Sequence, residues 1–306
     1  MISFFIITRS ATALFVVCDR IREMDQSRLQ HLSEALPYIQ KYTGKVFVVK
    51  YGGSALTDKA ISESTIKDLV LLNSVGIKVI LVHGGGPEIN ELLTKLGKEI
   101  KFENGLRRTD PETMEVVEMV LHGKVQRRLV TMINCAGARA IGISGRDGRI
   151  VVAQRHTGAS DGNMVGDIKS ANLKLVYQIL ELGLIPVISS IAPDEDGNAY
   201  NINADTMTAE LAVGMKAEKM LLMTDTPGVL KDKNNRESLI SELNLINARV
   251  LISDKKVDGG MIPKLECCIK AVENGVKEAI ILNGLVEHSL LLEVFTDEGS
   301  GTRIKS

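Results

Sequence analysis

Near-continuous apolar runs, each followed by an amphipathic stretch, constrain this chain more than any other feature. Residues 46–50 (VFVVK), 78–86 (KVILVHGGG, ending in glycines), 183–190 (GLIPVISS), 219–225 (KMLLMTD) and 277–282 (KEAIIL) are runs of this kind. Between them, apolar residues recur at helical spacing over 57–72 (Ile61, Ile66, Leu69, Val70, Leu72), over 89–96 (Ile89, Leu92, Leu93, Leu96), and over 204–213 and 262–273. A strand apolar at consecutive positions has to be covered on both faces, and intervening helices supply that cover. The pattern predicts an α/β chain with a central, mostly parallel sheet. Asp110-Pro111 reads as the cap and first residue of a long helix. Residues 142–155, with Asp147-Gly148 at the turn, read as a hairpin, and 193–203 as a second one.

Ahead of the first strand, Leu29, Leu32, Leu36 and Ile39 form one helical stripe over residues 25–43, with Pro37 set to kink it. That stripe needs a partner surface, on its own core or on another subunit. Residues 1–24 begin MISFFIITRSATALFVVC, too short and too broken by Arg9 for a membrane span. Without a basic segment ahead of it or a small-residue cleavage site behind it, a signal peptide is not expected. The stretch reads either as a loosely packed tail or as sequence upstream of a start at Met24.

The 306 residues carry a net charge of −1 and only 4% aromatics, a balance that argues against nucleic acid or an anionic membrane as partner. Cys18, Cys135, Cys267 and Cys268 lack C-x-x-C spacing, so they are read as free thiols in a reducing compartment.

Two of the strand ends carry glycines ahead of a helix: VKYGGSA, with Lys50 before Gly52 and Gly53, and VHGGGPEI, with Gly85 and Gly86. Glycine lets a ligand approach the backbone, and the helix that follows adds a partial positive charge. Neither stretch is a P-loop or a dinucleotide fingerprint. A lysine at a buried strand end is costly without an anion to meet it. Lys264, in DGGMIPKLE, follows a third glycine pair in the first turn of a helix, and Asp205, in NINADTM, opens another. Two lysines, one aspartate and three glycine turns suit phosphoryl transfer, which needs positioned positive charge more than covalent chemistry.

Taken in order and spacing, VVKYGGSAL, VHGGGPEIN, NGLRRTD, YNINADTMTAELA, LLMTDTPGVL, DGGMIPKLE and FTDEGSGT resemble the N-acetyl-L-glutamate kinase branch of the amino-acid kinase superfamily, from about residue 26 to 305. The resemblance implies a three-layer αβα sandwich in two lobes, with 44–216 binding acetylglutamate and forming a dimer, and 217–306 binding ATP. It implies that Lys50 and Lys264 stabilise the transferring phosphoryl group from two sides and that Asp205 holds both lysines. Gly52, Gly53, Gly85 and Gly86 would offer backbone N–H groups. Arg107 and Asn201 would bind the substrate α-carboxylate end, Arg107 being chosen over Arg108 by register with GLR-x-TD. Asp225, Thr226, Gly228 and Asp258 would contact ATP, with Mg²⁺ carried mainly by the nucleotide phosphates and no metal ligands from the chain. The reaction implied gives N-acetyl-L-glutamyl 5-phosphate and ADP, in the bacterial cytoplasm or in a plastid stroma.

The segment SEALPYIQKYTGK resembles the N-terminal helix of arginine-inhibited members, which links homodimers into a homohexamer. It implies L-arginine as an inhibitor, with His288, Glu298 and Gly299 as contacts. A PII signalling protein is a candidate partner, as in photosynthetic relatives. The alternatives are a related kinase acting on acetylaminoadipate, aspartate or glutamate, and a non-catalytic arginine sensor on the same scaffold.

Overall fold

The computed structural model describes residues 30 and 33–306, apart from 104, 233 and 258. Two units are described separately. In the first, residues 33–42 are helical through Pro37, with the Lys41 ammonium 4.9 Å from the Tyr42 ring centre. The rest of the expected 25–43 helix, Gln30 aside, lies outside the described residues, as does the 1–24 stretch.

The second unit, residues 43–306, carries the alternation expected above. Strand β1 (Val46–Tyr51) leads to helix α1 (Lys59–Ser74), which starts where the Asp58 carboxylate accepts the Ile61 N–H at 3.0 Å. Next come β2 (Lys78–His83), α2 (Gly86–Lys95) and a two-stranded hairpin, β3 (Phe102–Glu103) with β4 (Leu106–Arg107). Asp110 caps α3 (Pro111–Glu118), accepting from the Thr113 N–H at 2.8 Å. The helix widens to a π-helical segment, Met119–Gln126, and tightens again as α4 (Arg127–Cys135). Then follow β5 (Ala140–Ser144), β6 (Val151–Arg155), β7 (Val165–Ala171), α5 (Lys174–Glu181), β8 (Ile185–Ser189), β9 (Ile191–Pro193), β10 (Ala199–Ile202) and α6 (Ala204–Gly214). The chain closes with β11 (Lys219–Thr224), β12 (Glu242–Asn244), α7 (Leu245–Ser253), α8 (Met261–Glu273), β13 (Glu278–Asn283), α9 (Ser289–Phe295) and β14 (Thr302–Lys305).

Eight strands make the main sheet, in the order β12-β14-β13-β11-β1-β2-β8-β5, and only the β13/β14 pairing is antiparallel. Val48, Ile80, Val82, Met220 and Leu222 pack into one core with residues of α5, α6 and α8. The alternate residues Phe47, Val49, Val79, Leu81 and Leu221 face the other way and are equally buried, with Leu69 and Leu72 of α1. Burial on both faces is why these strands read as unbroken apolar runs. Among the described residues, no helix is long and apolar enough to cross a membrane.

Two corrections follow from the topology. Residues 142–155 are not a hairpin: β5 pairs with β8 in the main sheet, whereas β6 pairs with β7 in a separate four-stranded sheet, β6-β7-β10-β9. The turn at Asp147-Gly148 is real, with Gly148 at φ 60° and the Asp147 carboxylate accepting from the Ser144 N–H at 2.7 Å. What it does is pass the chain between sheets. Gly145 makes the crossing tight: a Cβ there would lie 2.6 Å from the Ile191 carbonyl oxygen. The four-stranded sheet as a whole was not anticipated, although its β9/β10 edge is the hairpin expected at 193–203.

Candidate active site

Strand β1 has β2 on one side and β11 on the other, and the strand order runs outward in opposite senses from there. At such a switch point, the carboxyl ends of parallel strands leave a crevice that receives ligands. Lys50 stands in register with Val82 of β2 and Leu222 of β11, so the three strands end together. The Gly84 N–H donates to the Tyr51 carbonyl at 3.2 Å and ties the two glycine turns to each other.

Asp205 occupies the crevice. Asn203 caps α6 by accepting from the Asp205 N–H at 2.8 Å and the Thr206 N–H at 3.2 Å, which sets the aspartate in the first helical turn. Its Oδ2 accepts from the Lys264 ammonium at 2.6 Å, and its Oδ1 lies 3.2 Å from the Lys50 ammonium. The Lys50 contact is an ion pair of poorer alignment than the one to Lys264. Burial pushes the Asp205 carboxyl up, but the two lysines outweigh it and hold the group below the usual carboxylate range. Two cations against one anion leave a buried unit of positive charge, which is a place for an anion. Gly52 keeps that place open, because a Cβ there would come within 3.4 Å of the Lys50 Cε and Nζ.

Gly85 has a second reason to be glycine. A Cβ would lie 2.7 Å from Leu121 and 3.1 Å from Val125, both on the π-helical segment, so the turn packs directly on that widened helix. Gly86 opens α2, and its carbonyl accepts from Arg107 Nη2 at 3.3 Å. Arg107 stacks on the Phe102 ring, 5.1 Å away, and its buried Nη1 has no partner among the described residues. Burial presses its pKa below the ordinary arginine value. Arg108 turns aside: it is half-exposed, with Nε 3.6 Å from Glu103 Oε1. Asn201, on β10, donates from Nδ2 to Thr109 Oγ1 at 3.3 Å.

Lys264 also lines a cavity of ≈ 370 Å³, with Asp225, Thr226, Gly228, Val257 and Met261 among its other walls. Gly228 sits at φ 148°, where a Cβ would meet Thr302 Oγ1 at 2.6 Å, and that hydroxyl accepts the Val229 N–H at 2.8 Å. Asp258 lies outside the described residues. Sequence reasoning did not single out Thr302, Phe102 or Thr109: Thr302 stands in the FTDEGSGT stretch and Thr109 in NGLRRTD, but none of the three carries a charge that asks for a ligand.

His288, Glu298 and Gly299 flank α9. His288 has φ 56°, its Nδ1 is 2.6 Å from Asp68 Oδ1, and its N–H donates to Ser64 Oγ at 2.9 Å. Burial raises the Asp68 carboxyl, against the pull of His288. Glu298 is exposed, while Gly299 adjoins the buried Glu293 carboxylate, 2.6 Å from where a Cβ would be.

A mostly parallel open sheet, two lysines on one buried carboxylate, glycine turns at the strand ends and a cavity lined by one of the lysines are features suited to an α/β protein that handles a phosphoryl group. Residues 45–283 match the amino acid kinase family, and the chain belongs to it. It is 53% identical over 280 residues to the acetylglutamate kinase of Gloeobacter violaceus, covering 90% of this chain and 92% of that one. To the acetylglutamate kinase of Thermoanaerobacter pseudethanolicus it is 51% identical over 278 residues, covering 91% and 93%. Among solved structures, N-acetylglutamate synthase from Neisseria gonorrhoeae with coenzyme A and N-acetyl-glutamate superposes with a TM-score of 0.80 at 24% identity, over 91% of this chain and 63% of the synthase. The same synthase with coenzyme A and L-arginine gives 0.76 at 24%, over 90% and 65%. At that identity, the likeness is one of fold.

Proposed function

We propose that this chain transfers the γ-phosphoryl group of ATP to the side-chain carboxylate of N-acetyl-L-glutamate, giving N-acetyl-L-glutamyl 5-phosphate and ADP in arginine synthesis. The observation that carries the reading is the Arg107 guanidinium, whose Nη2 is held on the Gly86 carbonyl of the same glycine turn while its buried Nη1 has no partner among the described residues, together with the Lys50–Asp205–Lys264 cluster. The two offer a carboxylate clamp and a phosphoryl clamp. The kinship with acetylglutamate kinases over nine-tenths of the chain supports the same choice.

The acceptor is a carboxylate already ionised at neutral pH, so no general base is required. Lys50 and Lys264 stabilise charge on the phosphoryl group in flight, and Asp205 sets their separation. Gly52, Gly53, Gly85 and Gly86 give backbone N–H groups room to approach it. Arg107 grips the α-carboxylate through a planar fork, with Asn201 beside it. Asp225, Thr226, Gly228 and Asp258 belong to the nucleotide side. Among the described residues, no group of three or more His, Cys, Asp or Glu side chains gathers around an ion. Mg²⁺ would enter with the nucleotide and would neutralise part of its phosphate charge. In this reading, 44–216 form the acid-binding and dimerisation lobe and 217–306 the ATP lobe, in the cytoplasm or a plastid stroma.

The test is ADP release with acetylglutamate set against acetylaminoadipate, aspartate and glutamate. Turnover confined to another acid overturns the substrate, and absence of any turnover overturns the reaction.

The reading extends to regulation: L-arginine inhibits, His288, Glu298 and Gly299 line its site, and the 25–43 helix joins homodimers into a homohexamer to which a PII protein can bind. Leu36 is about half-exposed on its helix, as an interface residue of a lone subunit would be. Deleting residues 1–41 is expected to abolish hexamers in light scattering and inhibition in an arginine titration while leaving kcat intact. A truncated protein that stays hexameric and inhibited would refute this part.

A further inference from the structure

Thr109, in the GLRRTD stretch, has no part in the chemistry above, yet it is fully buried between β4 and α3. Its hydroxyl donates to the Arg107 carbonyl at 2.9 Å and accepts from Asn201 Nδ2 at 3.3 Å. Its backbone is pinned at both ends. The Thr109 N–H donates to Asn163 Oδ1 at 2.9 Å, and its carbonyl accepts from the Met164 N–H at 2.6 Å. The Met164 carbonyl in turn accepts the Asn201 N–H at 2.8 Å. Asn163 is itself buried, and its Nδ2 donates to Glu103 Oε2 at 3.3 Å, on the strand paired with β4. A closed set of hydrogen bonds thus runs from Arg107 through Thr109 to Asn201, across 92 residues of sequence between the last two.

A hydroxyl has one proton. Here it goes to the Arg107 carbonyl, so toward Asn201 the oxygen can only accept. That fixes the Asn201 amide with its nitrogen toward Thr109 and its oxygen away. An asparagine without such a partner has two orientations, and a clamp that must first choose one binds more weakly.

We propose that Thr109 is a positioning residue that holds Arg107 and Asn201 as one preorganised pair for the acid substrate. The proposal rests on the acetylglutamate reading given above. Thr109 touches no reacting atom, so its effect falls on binding of the acid and not on the phosphoryl step.

Thr109→Val keeps the shape and removes the hydroxyl. In the full-length protein, KM for acetylglutamate is expected to rise roughly 5- to 150-fold, the range for leaving buried polar groups without a partner. KM for ATP and kcat stay within about twofold, and Thr109→Ser restores the wild-type KM. On an Asn201→Ala background, the valine change raises KM by a smaller factor than in the wild type, because the part of its effect that runs through Asn201 is already lost and only the Arg107 branch remains. An unmoved KM for the acid, an equal rise for ATP, or full additivity overturns the proposal. If Thr109→Val does not fold, Asn163→Ala frees the Thr109 N–H and is read by the same criteria. A wild-type protein that fails to phosphorylate acetylglutamate overturns the function reading and this inference together. Wild-type turnover with an unmoved KM in the variants overturns the inference alone.

Discussion

Lys264→Ala is expected to lower kcat roughly 10²- to 10³-fold while KM for both substrates moves little, the signature of an interaction strongest in the transition state. The geometry gives the reason. The Lys264 ammonium sits 2.6 Å from Asp205 Oδ2 and also lines the cavity shared with Thr224 and Asp225, which in the proposed function places it between the nucleotide and the acid. Removing it leaves Asp205 paired with Lys50 alone, and the buried excess of positive charge disappears. The fold should survive, because one ion pair still neutralises the carboxylate. Lys264→Arg keeps the charge but on a longer, planar group, so only partial recovery is expected. The pH dependence provides an internal check. The Asp205 pKa is depressed in the folded state, so its stabilising contribution is present above the unfolded value of about 4 and is lost as pH falls through the folded value. Near neutral pH, Asp205 should give no limb in the rate profile of the wild type. Rapid-quench measurement of the phosphoryl step settles the matter, and unchanged turnover in Lys264→Ala would remove this lysine from the chemistry.

The parts of the site that sit on long parallel strands were legible in the residues. Lys50 ends an apolar run, and a lysine in that position already asks for an anion. Asp205 follows a helix-capping asparagine, and Lys264 follows a glycine pair, so both were placed at helix starts before any contact was known. Their meeting was not derivable from spacing, since Lys264 and Asp205 lie 59 residues apart. The four-stranded sheet escaped notice for a physical reason. Its strands lack the unbroken apolar runs of the main sheet, β6 reading VVAQR and β7 VGDIKSA with their polar ends exposed, and its central β7/β10 pairing is parallel, so no local turn specifies it. The turn at Asp147-Gly148 has every local mark of a hairpin, yet the approach of Gly145 to Ile191 sends the flanking strands into different sheets. Gly85 teaches a similar lesson: expected to be glycine for its N–H, it is also required by the side chains of the π-helical segment. The buried Thr109 left no signal because a threonine between two charged residues looks like any loop position.

Arg107→Ala is expected to raise KM for the acid by about 10²-fold and to leave KM for ATP unchanged, as for loss of one partner from a buried, hydrogen-bonded charge pair. In the protein without substrate, the guanidinium has one hydrogen bond, to the Gly86 carbonyl at 3.3 Å, a cation–π contact with Phe102, and a buried Nη1 with no partner among the described residues. Burial already disfavours its charge, so a carboxylate arriving opposite Nη1 relieves a standing cost as well as making new bonds. kcat should fall much less than KM rises, because the clamp holds the far end of the acid in both the ground state and the transition state. Arg107→Lys should recover little, since an ammonium cannot present two parallel donors and also stack on Phe102. Arg108→Ala is the control: its side chain is half-exposed and turned to Glu103, so an effect within about twofold is expected of a surface ion pair. Steady-state kinetics on the three variants decide between the neighbours. A normal KM in Arg107→Ala with a raised KM in Arg108→Ala would transfer the clamp to Arg108, and that would require the hairpin to rearrange when the acid binds.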